Sequence, residues 1–266
     1  MSHFQPAHEA FTKQSHEFDE IDVQSPIIKW MRERTYLHIK KHITQNTKVL
    51  EVNAGTGIDA FTIANWGHQV LATDAAEGML RQLNIKKSNY KGKGNVEIQK
   101  LNFDDFGTLN QQGFNYMFSN FGGLNCLDDF TKITHHLPNV LEKGALVTWV
   151  LISPYCLWEW LFAFKGKFGL AFRRLKRKNV KAHLEGVEFP TFFYTPSEVK
   201  ADFGERFELI DLEGLATFTP PPYLDWIAKK YPKFYKKLTS LDEKTSRWLL
   251  FRTIGDHFII TLKFKG

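Results

Sequence analysis

The amino-acid sequence predicts an α/β fold, a doubly wound sheet of mostly parallel strands with helices on both faces. Strand-like apolar runs alternate with helical stretches from residue 48 to residue 151, which is the chain order of such a sheet. The first strand leads into a glycine-containing turn, and the second ends in an acidic residue, Asp74. The 266 residues are 43% hydrophobic and 24% charged, which is enough to bury one core of this kind.

Five strands can be placed along the first part of the chain, at Lys48–Val52, 69–73, 96–101, Phe114–Ser119 and 145–151. The helices expected between and before them cover residues 20–45, 58–66, 76–87 and 128–141. Residues 152–206 are aromatic and basic and follow no regular alternation. Beyond them we expect a strand at 207–212, helices at 223–237 and 242–251, and a last strand at His257–Phe264. The alternation of that last strand is typical of an edge or hairpin strand.

Composition limits the class of protein. The two cysteines, Cys126 and Cys156, form no CxxC pair, and no histidine–cysteine cluster has zinc spacing, so we expect no disulfide and no metal. The polar first 20 residues carry no secretory signal, which favours a cytoplasmic location. The apolar stretch 145–164 is long enough for a membrane span, but Pro154 and Glu159 favour a buried strand, a turn and an aromatic helix.

The net charge of +6 is concentrated in residues 165–181, where eight lysines and arginines occur without an acid. Without those eight, 27 basic residues face 29 acidic ones, so a nucleic-acid-binding domain is disfavoured. Three interpretations remain open: a solvated face, a contact with an anionic substrate, carrier or membrane surface, or an RNA contact. Apolar residues alternate with the charges as they do in an interfacial helix, which keeps a peripheral membrane or carrier contact among the predictions.

A nucleotide-type site is predicted where the first strand ends. Gly55 and Gly57 leave room for a ligand where a Cβ would clash, and the following helix begins with unpaired N–H groups. Asp74 lies at the end of the next strand, where an acid can accept both hydroxyls of a ribose. Without a ligand, the same residues would make only a tight turn.

Two cofactor classes fit this turn. Residues 55–60 have the spacing G-x-G-x-x-A, so a nicotinamide cofactor and an oxidoreductase are one alternative. Three features favour another class. Glu51 can hold an amino group, Asn53 replaces the tight glycine, and the chain ends in a lone strand rather than a second βαβαβ half.

Four motifs together resemble class I S-adenosylmethionine-dependent methyltransferases; they occupy residues 51–57, 74–79, 101–106 and 119–125. The resemblance implies a Rossmann-like sheet of seven strands in which the last strand, His257–Phe264, runs antiparallel between strands five and six. It implies one domain over residues 1–266, made of an N-terminal helical cap (1–45), a cofactor-binding core (46–151), a substrate-side insertion (152–206) and closing strands and helices (207–266). Asn53 stands where the family has its first glycine.

The resemblance also assigns roles around S-adenosylmethionine, whose product is S-adenosylhomocysteine. The methionine part is expected against Glu51, Asn53, Ala54, Gly55, Thr56 and Gly57, with Arg32 approaching its carboxylate from the cap. Asp74 is expected to hold the ribose. The adenine is expected between Ala75 and Met79 and against Asn102, Phe103 and Asp104. Asn120 and Phe121 are expected under the reacting sulfonium.

The expected reaction is O- or N-methylation of a hydrophobic or aromatic small molecule, with a lipid-like or carrier-tethered acceptor as an alternative. The side chains expected around the acceptor are Tyr155, Trp158, Glu159, Phe162, Phe193, Tyr194 and Tyr223. His257 and His183 are candidate bases. Residues 120–123 lack the prolines of enzymes that methylate amino groups of nucleic-acid bases. A non-catalytic, cofactor-binding partner subunit is a further alternative.

Overall fold

The computed structural model describes residues 4–109 and 111–266. Its strands are β1 Lys48–Val52, β2 Gln69–Asp74, β3 Asn95–Lys100, β4 Phe114–Ser119, β5 Leu141–Ile152, β6 Val180–Leu184, β7 Val187–Thr191, β8 Phe207–Leu215 and β9 His257–Phe264. Seven of them form one sheet in the order β3-β2-β1-β4-β5-β9-β8, and β6 and β7 form a separate antiparallel pair. Strands β1 to β5 are parallel, which confirms the predicted α/β class.

The α-helices of the described residues are α1 Gln5–Gln14, α2 Phe18–Gln24, α3 Pro26–His42, α4 Ile58–Asn65, α5 Glu77–Asn89, α6 Thr131–Thr134, α7 Leu137–Val140, α8 Leu157–Trp160, α9 Phe168–Ala171, α10 Pro196–Phe203, α11 Asp225–Lys230 and α12 Pro232–Thr245. The single helix predicted over 20–45 is two helices. Ser25 has extended backbone and its hydroxyl accepts a hydrogen bond from the N–H of Ile28, while Pro26 begins the new helix.

Three further helix predictions are wrong in extent. Residues 128–141 contain only the single turns α6 and α7, with Pro138 at the start of α7. Residues 223–237 are divided by Tyr231, whose backbone is not helical (φ −126°, ψ 61°) and which precedes Pro232. The helix expected over 242–251 is absent after Thr245, where α12 ends and turns follow. The strand predictions in the sheet are correct to within a few residues.

The alternation of the last strand predicted an edge or hairpin strand, and the edge position is wrong. Strand β9 lies between β5 and β8 and pairs antiparallel with both. Seven of its eight residues are buried, because helices or loops cover both faces of the sheet there. The position that the methyltransferase resemblance implied for this strand is confirmed.

The order of the strands reverses between β1 and β4, since the chain adds β2 and β3 on one side of β1 and β4 and β5 on the other. At such a reversal the connections leave in opposite directions, and a crevice opens beyond the carboxyl ends of the strands. The core strands are buried on both faces, as Val49 and Leu50 show at 0% exposure each. Any ligand site is therefore expected at the carboxyl edge.

The insertion has more regular structure than the sequence predicted, because it contains the β6–β7 hairpin. A continuous interfacial helix over 165–181 is absent; α9 has four residues, and Arg177 has a φ of 66°, which stops any helix. The apolar stretch 145–164 is a buried strand followed by single helical turns. Across the described ranges, no helix combines the length and the apolar character needed to cross a membrane.

Candidate functional site

The turn after β1 has a backbone suited to a closely bound ligand. Asn53, Gly55 and Gly57 have φ values of 59°, 58° and 85°, all in the left-handed region. A Cβ on Gly57 would lie 3.0 Å from side-chain atoms of Leu83 and Phe61, so only glycine fits there. Asn53 adopts the conformation that a glycine would take, and asparagine tolerates it better than other side chains. The departure from the family pattern at this position therefore leaves the turn intact.

Asp74 fixes this turn from the neighbouring strand. Its Oδ2 accepts a hydrogen bond of 2.8 Å from the N–H of Gly55, and its Oδ1 accepts one of 2.8 Å from Ala76. Burial raises the pKa of Asp74, while these N–H donors oppose the rise. The N–H of Ala75 also interacts with this carboxylate. A carboxylate has about four acceptor positions, so acceptor capacity remains for a further donor. The arrangement fits a ligand that offers two neighbouring hydroxyls.

A cavity of about 300 Å³ opens at this edge of the sheet. Eight of the predicted cofactor residues line it: Asn53, Gly55, Asp74, Ala75, Met79, Phe103, Asn120 and Phe121. The other predicted cofactor residues, Arg32, Glu51, Ala54, Thr56, Gly57, Asn102 and Asp104, are not part of its lining. Most of the first group follows the ends of β1, β2 and β4, while Phe103 follows β3 and Met79 lies in α5. The cavity therefore spans the point where the strand order reverses.

Arg32 does not line the cavity; it lies behind the residues that do. Its guanidinium forms salt bridges with Asp22 and Asp59 and lies 4.7 Å from the centre of the Phe121 ring. Asp59 also accepts a hydrogen bond of 2.9 Å from Asn120 Nδ2. A buried guanidinium with two carboxylate partners has little charge left for a ligand. Arg32 therefore positions Asn120 and Phe121, and the structure does not support its expected contact with a cofactor carboxylate.

Glu51 is buried at 1% exposure, and its Oε2 has no hydrogen-bond partner among residues 4–109 and 111–266. Burial raises the pKa of Glu51, with Asp59 adding to the rise and Arg32 opposing it. A buried acceptor without a donor is costly unless a ligand supplies one. An ammonium group could satisfy this oxygen, but Glu51 is not part of the cavity lining, so its predicted role stays a prediction.

One wall of the cavity was missed by the sequence interpretation. It is formed by side chains of α1, the residue that begins α2, and the hairpin, namely Phe4, Ala7, His8, Phe11, Phe18, Ala182, Phe189 and Thr191. The rings of Phe11 and Phe189 lie 5.8 Å apart, and this contact joins α1 to β7. The apolar residues at 4, 7 and 11 have helical spacing, which is the signal that could have identified α1 as amphipathic.

The seven side chains expected around the acceptor do not line this cavity. Glu159 forms salt bridges with Arg173 and Arg174. Trp158 donates to the carbonyl of Phe218, and Tyr194 donates to that of Leu127. The remaining members of the predicted group, Tyr155, Phe162, Phe193 and Tyr223, are likewise outside the lining. Aromatic and acidic residues of the insertion are therefore used for packing and ion pairing, which the sequence could not distinguish from ligand contacts.

The two candidate bases have different positions. His183 is exposed on β6 and pairs in register with Glu188, whereas its neighbour Ala182 faces the cavity, so alternation along the strand directs His183 away. This orientation does not support His183 as the base, and a catalytic role for it stays a prediction. His257 is buried, with Nδ1 2.9 Å from Asp256 Oδ2 and its ring 6.0 Å from that of Phe121. Phe121 lines the cavity and His257 does not, so a catalytic role for His257 stays a prediction.

One group of possible metal ligands lies elsewhere, at His38, His42 and Asp211. Both carboxylate oxygens of Asp211 accept hydrogen bonds from Arg247, at 2.6 and 2.8 Å. His38 contacts Glu213 and Thr261 through its two ring nitrogens. The possible ligand atoms of Asp211 and His38 already have partners within the protein, and Arg247 balances the charge of Asp211.

Comparison with known proteins gives a family match for the central part of the sheet-forming sequence. Residues 49–144 match the family described as methyltransferase domain. No curated protein matches the chain. A similar solved structure is an S-adenosylmethionine-dependent methyltransferase from Methanosarcina mazei, with 17% identity, coverage of 85% of this chain and 96% of that one, and a TM-score of 0.57.

Two other similar structures cover more of this chain. The CcbJ methyltransferase of Streptomyces caelestis is 17% identical, with 95% of this chain and 96% of that chain covered and a TM-score of 0.62. The Haemonchus contortus phosphoethanolamine N-methyltransferase 2, solved with phosphomonomethylethanolamine and S-adenosylhomocysteine, is 15% identical. There 96% of this chain and 58% of the other are covered, with a TM-score of 0.56. At such identities the likeness concerns the fold, and it confirms the predicted Rossmann-like architecture.

Proposed function

We propose that this chain, whose residues 49–144 match the methyltransferase domain family, is an S-adenosylmethionine-dependent methyltransferase of class I. Its proposed substrate is a hydrophobic or aromatic small molecule, methylated on oxygen or nitrogen. S-adenosylmethionine is the cofactor of this class. The observation that carries the proposal is a single cavity that joins two kinds of wall. Asp74, Gly55 and Asn120 form a polar end, and apolar side chains of α1 and β7 form the other.

The residues of the polar end fit this cofactor. The open acceptor capacity of Asp74 suits the ribose hydroxyls. Glu51 lies outside the lining, and its unpaired Oε2 would meet the methionine ammonium group only if that group reached beyond the cavity wall. Met79 and Phe103 offer apolar surfaces for the adenine. Gly55 leaves the approach open, since the nearest side-chain atoms to a Cβ built there lie 3.9 Å away. Arg32, through Asp59, holds Asn120 in place from behind.

The sulfonium supplies an activated methyl group, so the protein's part in the reaction is alignment and exclusion of water. A nucleophile held at about 3 Å from the methyl carbon gains several kcal/mol from orientation alone. The wall of Phe11, Phe189 and Ala182 can orient an apolar acceptor but offers no charge to bind an ionic one. His257, whose ring contacts that of the cavity-lining Phe121, is the proposed base for an acceptor that arrives protonated. A cytoplasmic location stays a prediction.

A calorimetric titration of the purified chain with S-adenosylhomocysteine and, separately, with NADH tests the cofactor. Binding of S-adenosylhomocysteine without binding of NADH is expected. The reverse result would favour the nicotinamide oxidoreductase that the G-x-G-x-x-A spacing left open.

Transfer of a labelled methyl group to a panel of phenols, aromatic amines and lipid-like alcohols tests the activity. Ala182→Phe fills the apolar wall and should slow transfer to an accepted compound by about 10-fold or more, without altering the affinity for S-adenosylhomocysteine. Ala201→Phe, on the exposed face of α10, is the matched control and should leave both unchanged. Cofactor binding with no transfer to any acceptor would support a non-catalytic partner subunit instead.

A further inference from the structure

Residues 161–178, here called the amphipathic segment, expose an unusual number of large apolar side chains. They belong to Leu161, Phe164, Phe168, Leu170, Phe172 and Leu175. Phe164 is 90% exposed and lies in a turn that ends at Gly166, whose φ is 71°. Scattered apolar residues are normal on a protein surface, but six exposed ones within fifteen residues are a local concentration of the kind found at interaction sites.

The basic residues of this region fall into two groups. Arg173 and Arg174 form salt bridges with Glu159, Arg177 with Glu198, and Lys181 with Glu188. In the described parts of the chain, the other four have no ion-pair partner: Lys165, Lys167, Lys176 and Lys178. All four are exposed. The uncompensated charge therefore lies among the exposed apolar side chains and not elsewhere in the insertion.

The segment is held rigidly to the body of the protein. Arg174 is 5% exposed, and its guanidinium lies 2.6 Å from Asp256 Oδ1 and 2.9 Å from Glu159 Oε1. It also donates to the carbonyls of Ser153 and Asp256. This anchor fixes the C-terminal part of the segment, and Phe172 and Leu175, on either side of Arg174, are exposed.

The projecting side chains and the unpaired lysines of the amphipathic segment both favour a lipid bilayer over a folded protein as its binding partner. A side chain as exposed as Phe164 needs a matching pocket on a rigid partner, whereas acyl chains adapt to any projecting group. Lysines beside inserted apolar side chains are attracted to anionic headgroups. Tyr223, which is half-exposed, donates to Glu159 Oε1 at 3.3 Å and so borders the same face. An aromatic ring with a polar tip is typical of the membrane interface.

We propose that the amphipathic segment docks the protein on the surface of an anionic lipid bilayer, with Phe164 and Phe168 inserted and the four unpaired lysines against the headgroups. The segment leads directly into β6, whose Ala182 lines the cavity. The bilayer would therefore adjoin the apolar wall. The inference goes beyond the proposed function, because docking requires neither a cofactor nor a methyl acceptor.

Co-sedimentation of the full chain with vesicles tests the inference. Vesicles of phosphatidylcholine alone are compared with vesicles that also contain phosphatidylglycerol, at low and high salt. We expect binding to the anionic vesicles that weakens as salt rises. Replacing Lys165, Lys167, Lys176 and Lys178 together by Gln should weaken it by about fivefold per lysine. Phe164→Ser with Phe168→Ser should weaken it by about 10-fold or more, with less dependence on salt.

Matched variants separate docking from general charge and hydrophobicity. The charge control replaces four other exposed lysines together by Gln, and so makes the same change in net charge. They lie toward the amino ends of the strands, away from the amphipathic segment: Lys87, Lys91, Lys93 and Lys143. Leu37→Ser with Ile85→Ser is the control for the phenylalanines. Both control variants should bind vesicles as the natural protein does. The inference would be overturned if the control and test variants lost vesicle binding equally. It would also be overturned if the natural protein did not bind anionic vesicles, as expected if the segment binds an acidic protein instead.

Discussion

Asp74 Oδ2 accepts a hydrogen bond of 2.8 Å from the backbone N–H of Gly55, which connects the end of β2 to the turn after β1. The two residues are 19 positions apart in the chain, and the contact forms because β1 and β2 are adjacent and parallel. One carboxylate therefore holds the turn in place and still presents acceptor positions to the cavity.

The first prediction concerns this carboxylate. Asp74→Asn should lower the affinity for S-adenosylhomocysteine by about 30-fold or more, because hydrogen bonds to a charged acceptor contribute about 1.5–3 kcal/mol each. Asp105→Asn, an exposed acid in the turn after β3, is the control and should leave the affinity unchanged. Calorimetric titration measures both. An unchanged affinity for the Asp74 variant would contradict the assignment of this cavity to the cofactor.

The second prediction concerns the left-handed backbone at Asn53. Asn53→Val should lower the free energy of unfolding by about 2 kcal/mol, because a branched side chain clashes in that conformation, whereas Asn53→Gly should cost less than about 1 kcal/mol. Urea unfolding followed by circular dichroism gives both values. Asn46, with a φ of 53°, allows a comparison outside the cavity. Its Val variant should lose stability but keep its affinity for S-adenosylhomocysteine.

The third prediction concerns Arg174, which lies between Glu159 and Asp256. Arg174→Met should lower the free energy of unfolding by about 3 kcal/mol or more, since two buried carboxylates lose a cation. The Arg174 guanidinium and His257 hold the pKa of Asp256 well below its usual value, although burial by itself would raise it. Lys176→Met removes an exposed charge two residues away and should cost less than about 0.5 kcal/mol. Equal stability of the two variants would show that the ion pairs do not anchor the insertion.

The fourth prediction concerns pH. Burial by itself would raise the pKa of Glu213, but His38 and Arg34 outweigh it and lower the pKa to about 2. A depressed carboxyl pKa stabilises the fold above the unfolded value of 4.5, and this stabilisation is lost as pH falls from there toward 2. The loss should reach up to about 3 kcal/mol. Glu213→Gln should be less stable at neutral pH and should show a shallower decline in acid, measured by urea unfolding at a series of pH values.

The parts of the site that lie close together in sequence were predictable. The turn at residues 53–57 and the acid at Asp74 follow from local backbone chemistry and from the alternation of strands and helices. These features require only that β1 and β2 be neighbours, which is the ordinary outcome for consecutive βα units. Eight of the fifteen residues that the sequence predicted for the cofactor therefore line one cavity, and their contact with the cofactor stays a prediction.

The acceptor end was not predictable in the same way. Helix α1 reaches the hairpin through the contact of Phe11 with Phe189, which are separated by more than 170 residues. Glu159 and Tyr223 resembled ligand-binding residues, but their partners lie in distant segments that the fold brings together. Composition cannot show whether an aromatic or acidic side chain faces a cavity or a neighbouring side chain.

The sequence by itself determined the α/β class, the strands of the sheet and the position of the cofactor turn, because these depend on periodicity and on the conformational preferences of single residues. Only the tertiary structure decided which arginines are paired and which lysines are left free, and which helix closes the cavity. Those outcomes depend on contacts between residues far apart in the chain, and such contacts leave no periodic signal in the sequence.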